Sequence, residues 1–306
     1  EFENIVLGPV SWTAVSDAGT IDANGNFTAG VHAGSFDDEI IVSIPGDSTE
    51  LMSFASVIIE PGELDRVTLD AIAPVQPDSQ SQLAARVYDE FDNPLTDPNV
   101  SITFTADKVA GMVSASGVFA AATRAGLYEN ALTVDVVHGD VARSTSIDVI
   151  IIHGALDHVA VIPDSVNVEV GSFQRFNASG YDAHGNSIPD AVISWQIQED
   201  AGVINADGEA TISTEAGEFT DSVTATARLG SDSASAKASV IVKPSSLHSV
   251  RLSDSIELSA GGSPAQIEAI VTDEYGNLLT DVAIAWESVD GTPGSLSPQG
   301  LFTPGN

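Results

Sequence analysis

Short runs of alternating apolar and polar residues recur along this chain, separated by clusters of Gly, Asn, Asp and Pro. Alternation with a period of two is typical of a β-strand with one buried face, and the clusters between the runs are typical of turns. No helical period extends beyond one turn. About seven short strands in every ~90 residues predict an all-β chain built of antiparallel β-sandwiches.

The pattern repeats with a fixed period. One alternating run leads each time to an aromatic residue, and these residues, at intervals of 92, 91 and 91, are Trp12, Phe104, Trp195 and Trp286. A pair of glycines follows each of them: Gly19/Gly25, Gly111/Gly117, Gly202/Gly208 and Gly294/Gly300. Such a period indicates tandem copies of one structural unit. We predict that Phe104 and Trp195 are buried between two sheets, and that the second glycine of each pair has a positive φ in a hairpin.

The repeat divides the chain into two complete domains, residues 64–155 and 156–246, and two partial ones. Residues 1–63 lack the opening strands of the unit, and residues 247–306 lack the closing strands. Two explanations stay open. The chain is an excerpt of a longer polypeptide, or its last part lends opening strands to the first part of another copy. Short connections between the domains predict limited freedom between neighbours and an elongated array.

Composition narrows the function classes. The net charge is −34, and Lys108, Lys237 and Lys243 are the only lysines, so we expect the chain to repel nucleic acid and anionic membranes. No apolar run approaches the roughly 18 residues that cross a bilayer, which predicts no membrane insertion in this segment. The chain has no cysteine, which excludes disulfides and thiolate sites and fits an exported bacterial or archaeal protein.

No signature of an enzyme is present. The chain has no Gly-x-Ser-x-Gly elbow, phosphate loop or HExxH motif, and its carboxylates are spread over every turn. The acidic cluster of residues 37–39 is interpreted as a solvated strand end. His153 and His158 flank a domain boundary without a clear third ligand, so they are weak candidates for zinc. We therefore predict a protein without catalytic activity.

One polar motif recurs with fixed spacing, an Asp, an Asn and an Asp at intervals of four residues. Its members are Asp89, Asn93, Asp97, Asp182, Asn186, Asp190, Asp273, Asn277 and Asp281. Three oxygen-bearing side chains at this spacing could hold a hard cation, which makes calcium the candidate cofactor. In the simpler alternative, Asp and Asn fold the loop by bonding to backbone N–H groups.

The residues around this motif resemble a known family. The segment Thr272–Asn277, followed by Ile284-Ala285-Trp286, residues 294–296 and residues 300–303, is similar to bacterial Ig-like domains. These are the tandem modules of invasin- and intimin-type adhesins and of many bacterial surface proteins. Copies of the motif stand at Tyr181–Asn186 and, as a variant, at Tyr88–Asn93, with a remnant at residues 2–4. The resemblance implies tandem Ig-like sandwiches with an extracellular, non-catalytic role at a bacterial or archaeal cell surface.

We expect a structural segment of an extracellular tandem Ig-like protein that forms a stalk, sheath, filament or surface layer. Its expected partners are copies of itself or neighbouring Ig-like domains. Two alternatives stay open, an adhesin segment that binds a carbohydrate or a receptor, and an accessory region of a surface enzyme. Aromatic residues make up 6% of the chain and stand mostly at predicted core positions. This scarcity favours the structural role over a binding role.

Overall fold

The structure, a computed structural model, describes residues 9–46, 49–252, 255–289, 291 and 293–305. Within these ranges it consists of β-strands and one 3₁₀ turn, Glu199–Ala201, without any α-helix. The predicted all-β class is confirmed. The chain divides into two compact units, Glu1–Ile152 and His153–Asn306. The finer division into two complete and two partial domains stays a prediction, and the proposed remnant of the motif at residues 2–4 lies outside the described residues.

The first unit contains strands that pair in antiparallel fashion. They are β1 (Ser11–Ala14), β2 (Gly19–Ile21), β3 (Phe27–Ala29), β4 (Gly34–Ile44), β5 (Leu51–Ile59), β6 (Arg66–Leu69), β7 (Gln80–Gln82), β8 (Ala85–Tyr88), β9 (Ser101–Ala106), β10 (Gly111–Val113), β11 (Val118–Ala121), β12 (Gly126–His138) and β13 (Val141–Ile151). Their sheets have the orders β1-β4-β5, β2-β3, β6-β8, β10-β11-β7 and β13-β12-β9.

The second unit is also built of short strands and one long hairpin. Its strands are β14 (His158–Ile162), β15 (Ser165–Glu169), β16 (Phe173–Arg175), β17 (Asn177–Tyr181), β18 (Ser187–Ile188), β19 (Val192–Ile197), β20 (Gly202–Ile204), β21 (Glu209–Ile212), β22 (Gly217–Leu229), β23 (Asp232–Lys243), β24 (Ser249–Leu252), β25 (Ala265–Gln266), β26 (Ala269–Thr272), β27 (Gly294–Leu296) and β28 (Leu301–Pro304). Their sheets have the orders β14-β17-β18, β15-β23-β22-β19, β16-β21-β20, β24-β26 and β25-β28-β27. The pairing of β15 with β23 is parallel.

A long closing hairpin contributes to the main core cluster of each unit, formed by β12 and β13 in the first unit and by β22 and β23 in the second. Alternate residues of β12 are fully buried, namely Leu132, Val134 and Val136. The opening strand β6 packs against this hairpin and buries Val67 and Leu69. The period-two pattern of the sequence is therefore the pattern of residues that face the core.

The recurring aromatic residue packs at the margin of each core. Phe104 and Trp195 are half-buried and contact the buried clusters, so the prediction that both are buried between sheets is correct only in part. Gly208 has a φ of +78°, as predicted, and a Cβ there would lie 2.9 Å from the Trp195 ring. A side chain at this position would collide with the ring, which explains why the aromatic residue and the glycine recur together.

The fully buried aromatic residues are others, which the sequence analysis did not single out. Phe119 of β11 and Phe176, just before β17, have no exposed surface. They stand at different places in the repeat, since the position of Phe119 is held by Ala210 in the next repeat. Leu83 holds the position of Phe176, because each donates its backbone N–H to the hairpin glycine of its own repeat. The large and the small side chain have exchanged places between the two cores.

The acidic cluster in β4 was interpreted as a solvated strand end, and for Glu39 this interpretation is wrong. Glu39 is 2% exposed and follows Asp38, which has a φ of +51° at a break in the register between β4 and β5. Its carboxylate accepts hydrogen bonds from the N–H groups of Val15 and Ser16 and from the Ser16 hydroxyl. These bonds, above all the one from the hydroxyl, lower the pKa of Glu39. The bulge turns the residue inward, which alternation alone does not predict.

Candidate functional site: the junction loops

The three copies of the polar motif form loops that we call junction loops, residues 89–93, 182–186 and 273–277. In the first, the Asp89 side chain is 1% exposed. Its Oδ1 accepts the N–H groups of Phe91 and Asn93, each at 2.9 Å. Its Oδ2 accepts the Asn93 side-chain amide at 2.8 Å and the N–H of Gly62 at 2.8 Å. Four donors therefore surround one carboxylate.

Gly62 lies outside the loop, in the segment that leads into the opening strand β6. The bond from Gly62 therefore ties the junction loop to the connection between two repeats. The other loops repeat this bond, in which Asp182 accepts the N–H of Gly154 at 2.7 Å and Asp273 accepts that of Ser245 at 3.0 Å. Their remaining partners are also equivalent, namely the N–H groups of His184, Asn186, Tyr275 and Asn277 and the side-chain amides of Asn186 and Asn277.

Asn93 extends the junction loop to the preceding repeat. Its Nδ2 donates to the carbonyl of Val31 at 2.7 Å, and its Oδ1 accepts the N–H of Ala33 at 2.9 Å. Both partners lie in the turn between β3 and β4. Because the side chain is 8% exposed, its amide group takes part in these bonds with little competition from water.

Asn277 makes the same pair of bonds within the second unit. Its Nδ2 donates to the carbonyl of Thr214 at 2.9 Å, and its Oδ1 accepts the N–H of Ala216 at 2.8 Å. Thr214 and Ala216 lie between β21 and β22, at the place equivalent to the turn between β3 and β4. The same arrangement therefore occurs once in each unit: an Asn side chain binds the backbone of the preceding repeat.

The electrostatics of the loops follow from these donors. Burial alone would raise the pKa of Asp89, but hydrogen bonds from Asn93, Gly62 and Phe91 lower it to about 2. The same opposition of burial and hydrogen bonds lowers the pKa values of Asp182 and Asp273 to about 2. Each Asp is therefore an anion at neutral pH, and N–H dipoles stabilise its charge.

The third residue of each predicted set lies away from this cluster of bonds. Asp97 accepts the backbone N–H and the side-chain amide of Asn99, and its Oδ2 lies 3.4 Å from Nε2 of His138. Asp190 and Asp281 are exposed. Across the residues that the structure describes, no three His, Cys, Asp or Glu side chains are grouped so as to hold a metal ion.

The hydrogen bonds of Asp89 and Asn93 are those that the turn interpretation requires. Calcium binding by the nine motif residues stays a prediction. Its measurement is the melting temperature in millimolar calcium against chelator, because a ligand that binds only the folded state raises it.

The sequence analysis missed the partners of the Asn side chains. Val31 and Ala33 precede Asn93 by 62 and 60 residues, so local turn chemistry could not point to them. A signal was present in the period itself, since Ala33 and Ala216 stand at equivalent places just before a closing hairpin. Two positions that both recur with the period of the repeat are candidates for a contact between neighbouring repeats, even when one of them carries only a small apolar residue.

Comparisons with known proteins show likeness of structure alone. No family model and no curated protein sequence matches this chain. Among solved structures, the adhesin FdeC of Escherichia coli is 19% identical with a TM-score of 0.39, over 81% of this chain and 91% of that one. Domains 1–6 of the surface layer protein SbsC are 15% identical with a TM-score of 0.28, over 92% of this chain and 45% of that one.

The extracellular domain of protocadherin GammaB4 is 14% identical with a TM-score of 0.45, over 97% of this chain and 56% of that one. The chain thus spans about half of the SbsC and protocadherin structures. At these scores the likenesses carry no argument about function. Within the described ranges, no helix is long and apolar enough to span a membrane.

Proposed function

We propose that this chain is a non-catalytic structural segment of an extracellular tandem-domain protein, such as a stalk, sheath, filament or surface layer. In this role the junction loops at residues 89–93 and 273–277 each hold their repeat against the one before it in the same unit. The observation that carries the proposal is the pair of hydrogen bonds that Asn93 makes with Val31 and Ala33, and that Asn277 makes with Thr214 and Ala216.

The bonds at one junction act together. A bend between two repeats that separates Asn93 from Val31 and Ala33 breaks two hydrogen bonds, each with a net contribution of about 0.5–1.5 kcal/mol. The bond from Gly62 to the Asp89 carboxylate involves a charged group and contributes about 1.5–3 kcal/mol. Since the Asp89 and Asn93 side chains are buried, a bent junction would also leave their polar atoms without protein partners. A stiff connection between modules is what a segment needs if it transmits force or sets a distance.

The surface chemistry fits the same role. A net charge of −34 keeps such a chain soluble and disfavours non-specific contact with nucleic acid and anionic lipid. The resemblance to bacterial Ig-like modules supports a place at the cell surface. Protease treatment of intact cells, followed by detection of the chain, tests that location. Survival of the chain on intact cells, with cleavage only after lysis, would contradict it.

Hydrogen exchange tests the junction directly. In Asn93→Ala we expect the amide of Ala33 to exchange at least ~10-fold faster, because its acceptor is lost, while the amide of Ala216 keeps its rate. In Asn277→Ala we expect the reverse, with faster exchange of the Ala216 amide and an unchanged rate for the Ala33 amide. Asn205→Ala is the matched control, since the Asn205 side chain bonds to Asp207 and Glu209 in its own turn. Unchanged exchange at Ala33 and Ala216 in both junction variants would refute the role of the junction loops.

A further inference from the structure

The outer face of the sheet β16-β21-β20 carries a row of side chains that includes an exposed aromatic ring. Phe173, Thr211 and Val203 lie opposite one another in the registers of the three strands. Phe173 is 82% exposed and Val203 is 67% exposed. The neighbouring positions in these strands, held by Ala210 and Ile204, face the core instead. The Phe173 ring is therefore presented to solvent in the middle of a folded repeat.

A row of polar side chains lies beside this row on the same face. Arg175 stands two residues from Phe173 along β16, a distance of roughly 7 Å. Its Nη1 donates to Oε1 of Glu209 at 2.9 Å, and Oε2 of Glu209 accepts the side-chain amide of Asn205 at 3.0 Å. A guanidinium group has several N–H donors and a carboxylate several acceptor sites. Both charged groups therefore keep capacity to bond to a ligand.

A cleft of about 470 Å³ opens next to this face. It lies between β19 and β20, which are the last strands of their two sheets among the described residues. The half-buried Trp195 lines the cleft, and the exposed Gln196 and Glu199 add an amide and a carboxylate. Val203 belongs to both the row and the cleft lining. The two rows and the cleft therefore form one continuous surface, which we call the outer-face site.

The first unit carries other residues at the equivalent places, although its sheet β10-β11-β7 has the same register. The row that corresponds to Phe173, Thr211 and Val203 consists of Gln80, Ala120 and Met112. Phe104 stands in the place of Trp195. Since both units form the sheet, the fold does not require an aromatic ring at the position of Phe173. Its presence in the second unit alone points to binding.

We propose that the outer-face site binds a neutral oligosaccharide. A sugar ring has an apolar face of C–H groups and a rim of hydroxyl groups, so it packs on an aromatic ring while nearby polar groups bond to its rim. Phe173 and Trp195 supply the rings, and Arg175, Glu209 and Gln196 supply donors and acceptors. The row from Phe173 extends about 10 Å across three strands, which gives room for more than one sugar ring.

Charge and area favour this occupant over the alternatives. The chain has a net charge of −34, which repels an acidic glycan and a second copy of the chain. Within the site, Arg175 and Glu209 neutralise each other, which suits a ligand without charge. The two exposed apolar side chains offer far less than the ~800 Å² that each partner buries in a stable protein interface. A sugar ring needs no larger platform than one aromatic side chain.

Two variants of the full chain alter the site at exposed positions. Phe173→Gln removes the ring and introduces the residue type that the first unit carries at the equivalent place, so we expect the sheet to tolerate it. Arg175→Ala removes the guanidinium group from the polar row. Met112→Ala is the matched control, since Met112 is the counterpart of Val203 and is 73% exposed. Circular dichroism and the melting temperature establish that each variant is folded.

Chemical shifts of backbone amides in NMR spectra test the inference, with chitotetraose, cellotetraose and mannotetraose as neutral probes and sialyllactose as an acidic probe. We expect at least one neutral probe at millimolar concentration to shift the amides of Thr211 and Val203. Phe173→Gln should weaken that binding at least ~10-fold, Arg175→Ala should weaken it as well, and Met112→Ala should leave it unchanged. Sialyllactose should bind more weakly than the neutral probe.

Three results would overturn the inference. The first is the absence of shifts at Thr211 and Val203 with every neutral probe, and the second is equal binding by the parent chain and Phe173→Gln. The third is self-association of the parent chain in sedimentation velocity that Phe173→Gln abolishes, because a second copy would then occupy the site. The binding function is additional to the proposed structural role and uses no junction residue, so hydrogen exchange at Ala33 tests that role separately.

Discussion

The opening strand has the same pairing in three repeats and a different burial in one of them. In the complete repeats, Leu69 of β6 and Val161 of β14 are each 8% exposed, whereas Leu252 of β24 is 56% exposed. Each of these strands nevertheless pairs in antiparallel register with the strand that precedes the junction loop of its own repeat, namely β8, β17 and β26. The difference lies in the closing hairpin, which packs on β6 and β14. Alternation therefore specifies strand and face, and a distant hairpin supplies the burial.

The first cross-strand pair also shows how much local chemistry can vary. The Arg66 guanidinium lies over the Tyr88 ring at 4.4 Å, and the rings of His158 and Tyr181 stack at 5.4 Å. In the last repeat, the hydroxyls of Ser249 and Thr272 bond at 2.8 Å. Three different contacts hold one register, which indicates that the register comes from the backbone ladder and the turn rather than from any single pair.

The largest effect is expected in the core of a complete repeat. Phe119→Ala should lower the free energy of unfolding of the first unit by about 3–5 kcal/mol, because a fully buried ring leaves a cavity. Phe302 holds the same position in the last repeat and is half-buried, so Phe302→Ala should cost the second unit less than half as much. Hydrogen exchange in denaturant at Val134 and Val240 reports the two units separately. Equal costs would show that the last repeat is packed like the complete ones.

A matched pair of leucines tests the opening strand itself. Leu69→Ala should destabilise the first unit by about 2–5 kcal/mol. Leu252→Ala, at the equivalent exposed position, should change the stability of the second unit by no more than about 0.5 kcal/mol. The same denaturant series measures both. A loss above ~1 kcal/mol for Leu252→Ala would mean that β24 is covered in solution.

Much of the fold could be predicted from the sequence because its signals are local. The alternation, the aromatic residue and the hairpin glycine all lie within one short stretch, and each reflects a backbone or packing need of that stretch. The buried rings of Phe119 and Phe176 could not be predicted in this way. Leu83 and Ala210 hold the reciprocal positions, so the choice of ring depends on a residue in another strand, and only the sum of volumes is constrained.

In the candidate site, too, the local contacts could be predicted and the distant ones could not. Asp89 and Asn93 lie four residues apart, so the loop bonds between them were among the expected alternatives. The bonds from Asn93 to Val31 and Ala33 connect different repeats, and no rule of turn chemistry reaches that far. Glu39 was misjudged for a related reason, since its direction depends on a bulge that the pairing of β4 with β5 creates.

We expect the junction loops, unlike the cores, to behave alike in the first and the last of these repeats. Asp89 and Asp273 are 1% and 2% exposed, and each has a pKa of about 2 against an ordinary value of 3.8. A folded-state pKa below the unfolded one means that the stabilisation is full above about pH 4 and is lost as the pH falls towards 2. We expect the amides of Asn93 and Asn277 to lose exchange protection together over this range. Loss at Asn277 near pH 5, well before Asn93, would show that the last junction is weaker.

The smallest effect concerns the cross-strand pairs. Arg66→Ala should lower the stability of the first unit by about 0.5–1 kcal/mol, because it removes the contact with the Tyr88 ring. Ser249→Ala in the last repeat should cost the second unit about 0.5 kcal/mol or less, since the hydroxyl pair is half-exposed and water can replace it. Measurement of both variants in low and high salt separates the contributions of Arg66. Its ion pair with the exposed Asp92 is screened by salt, whereas the ring contact persists. If the cost of Arg66→Ala disappears in high salt, the ion pair and not the ring holds the arginine.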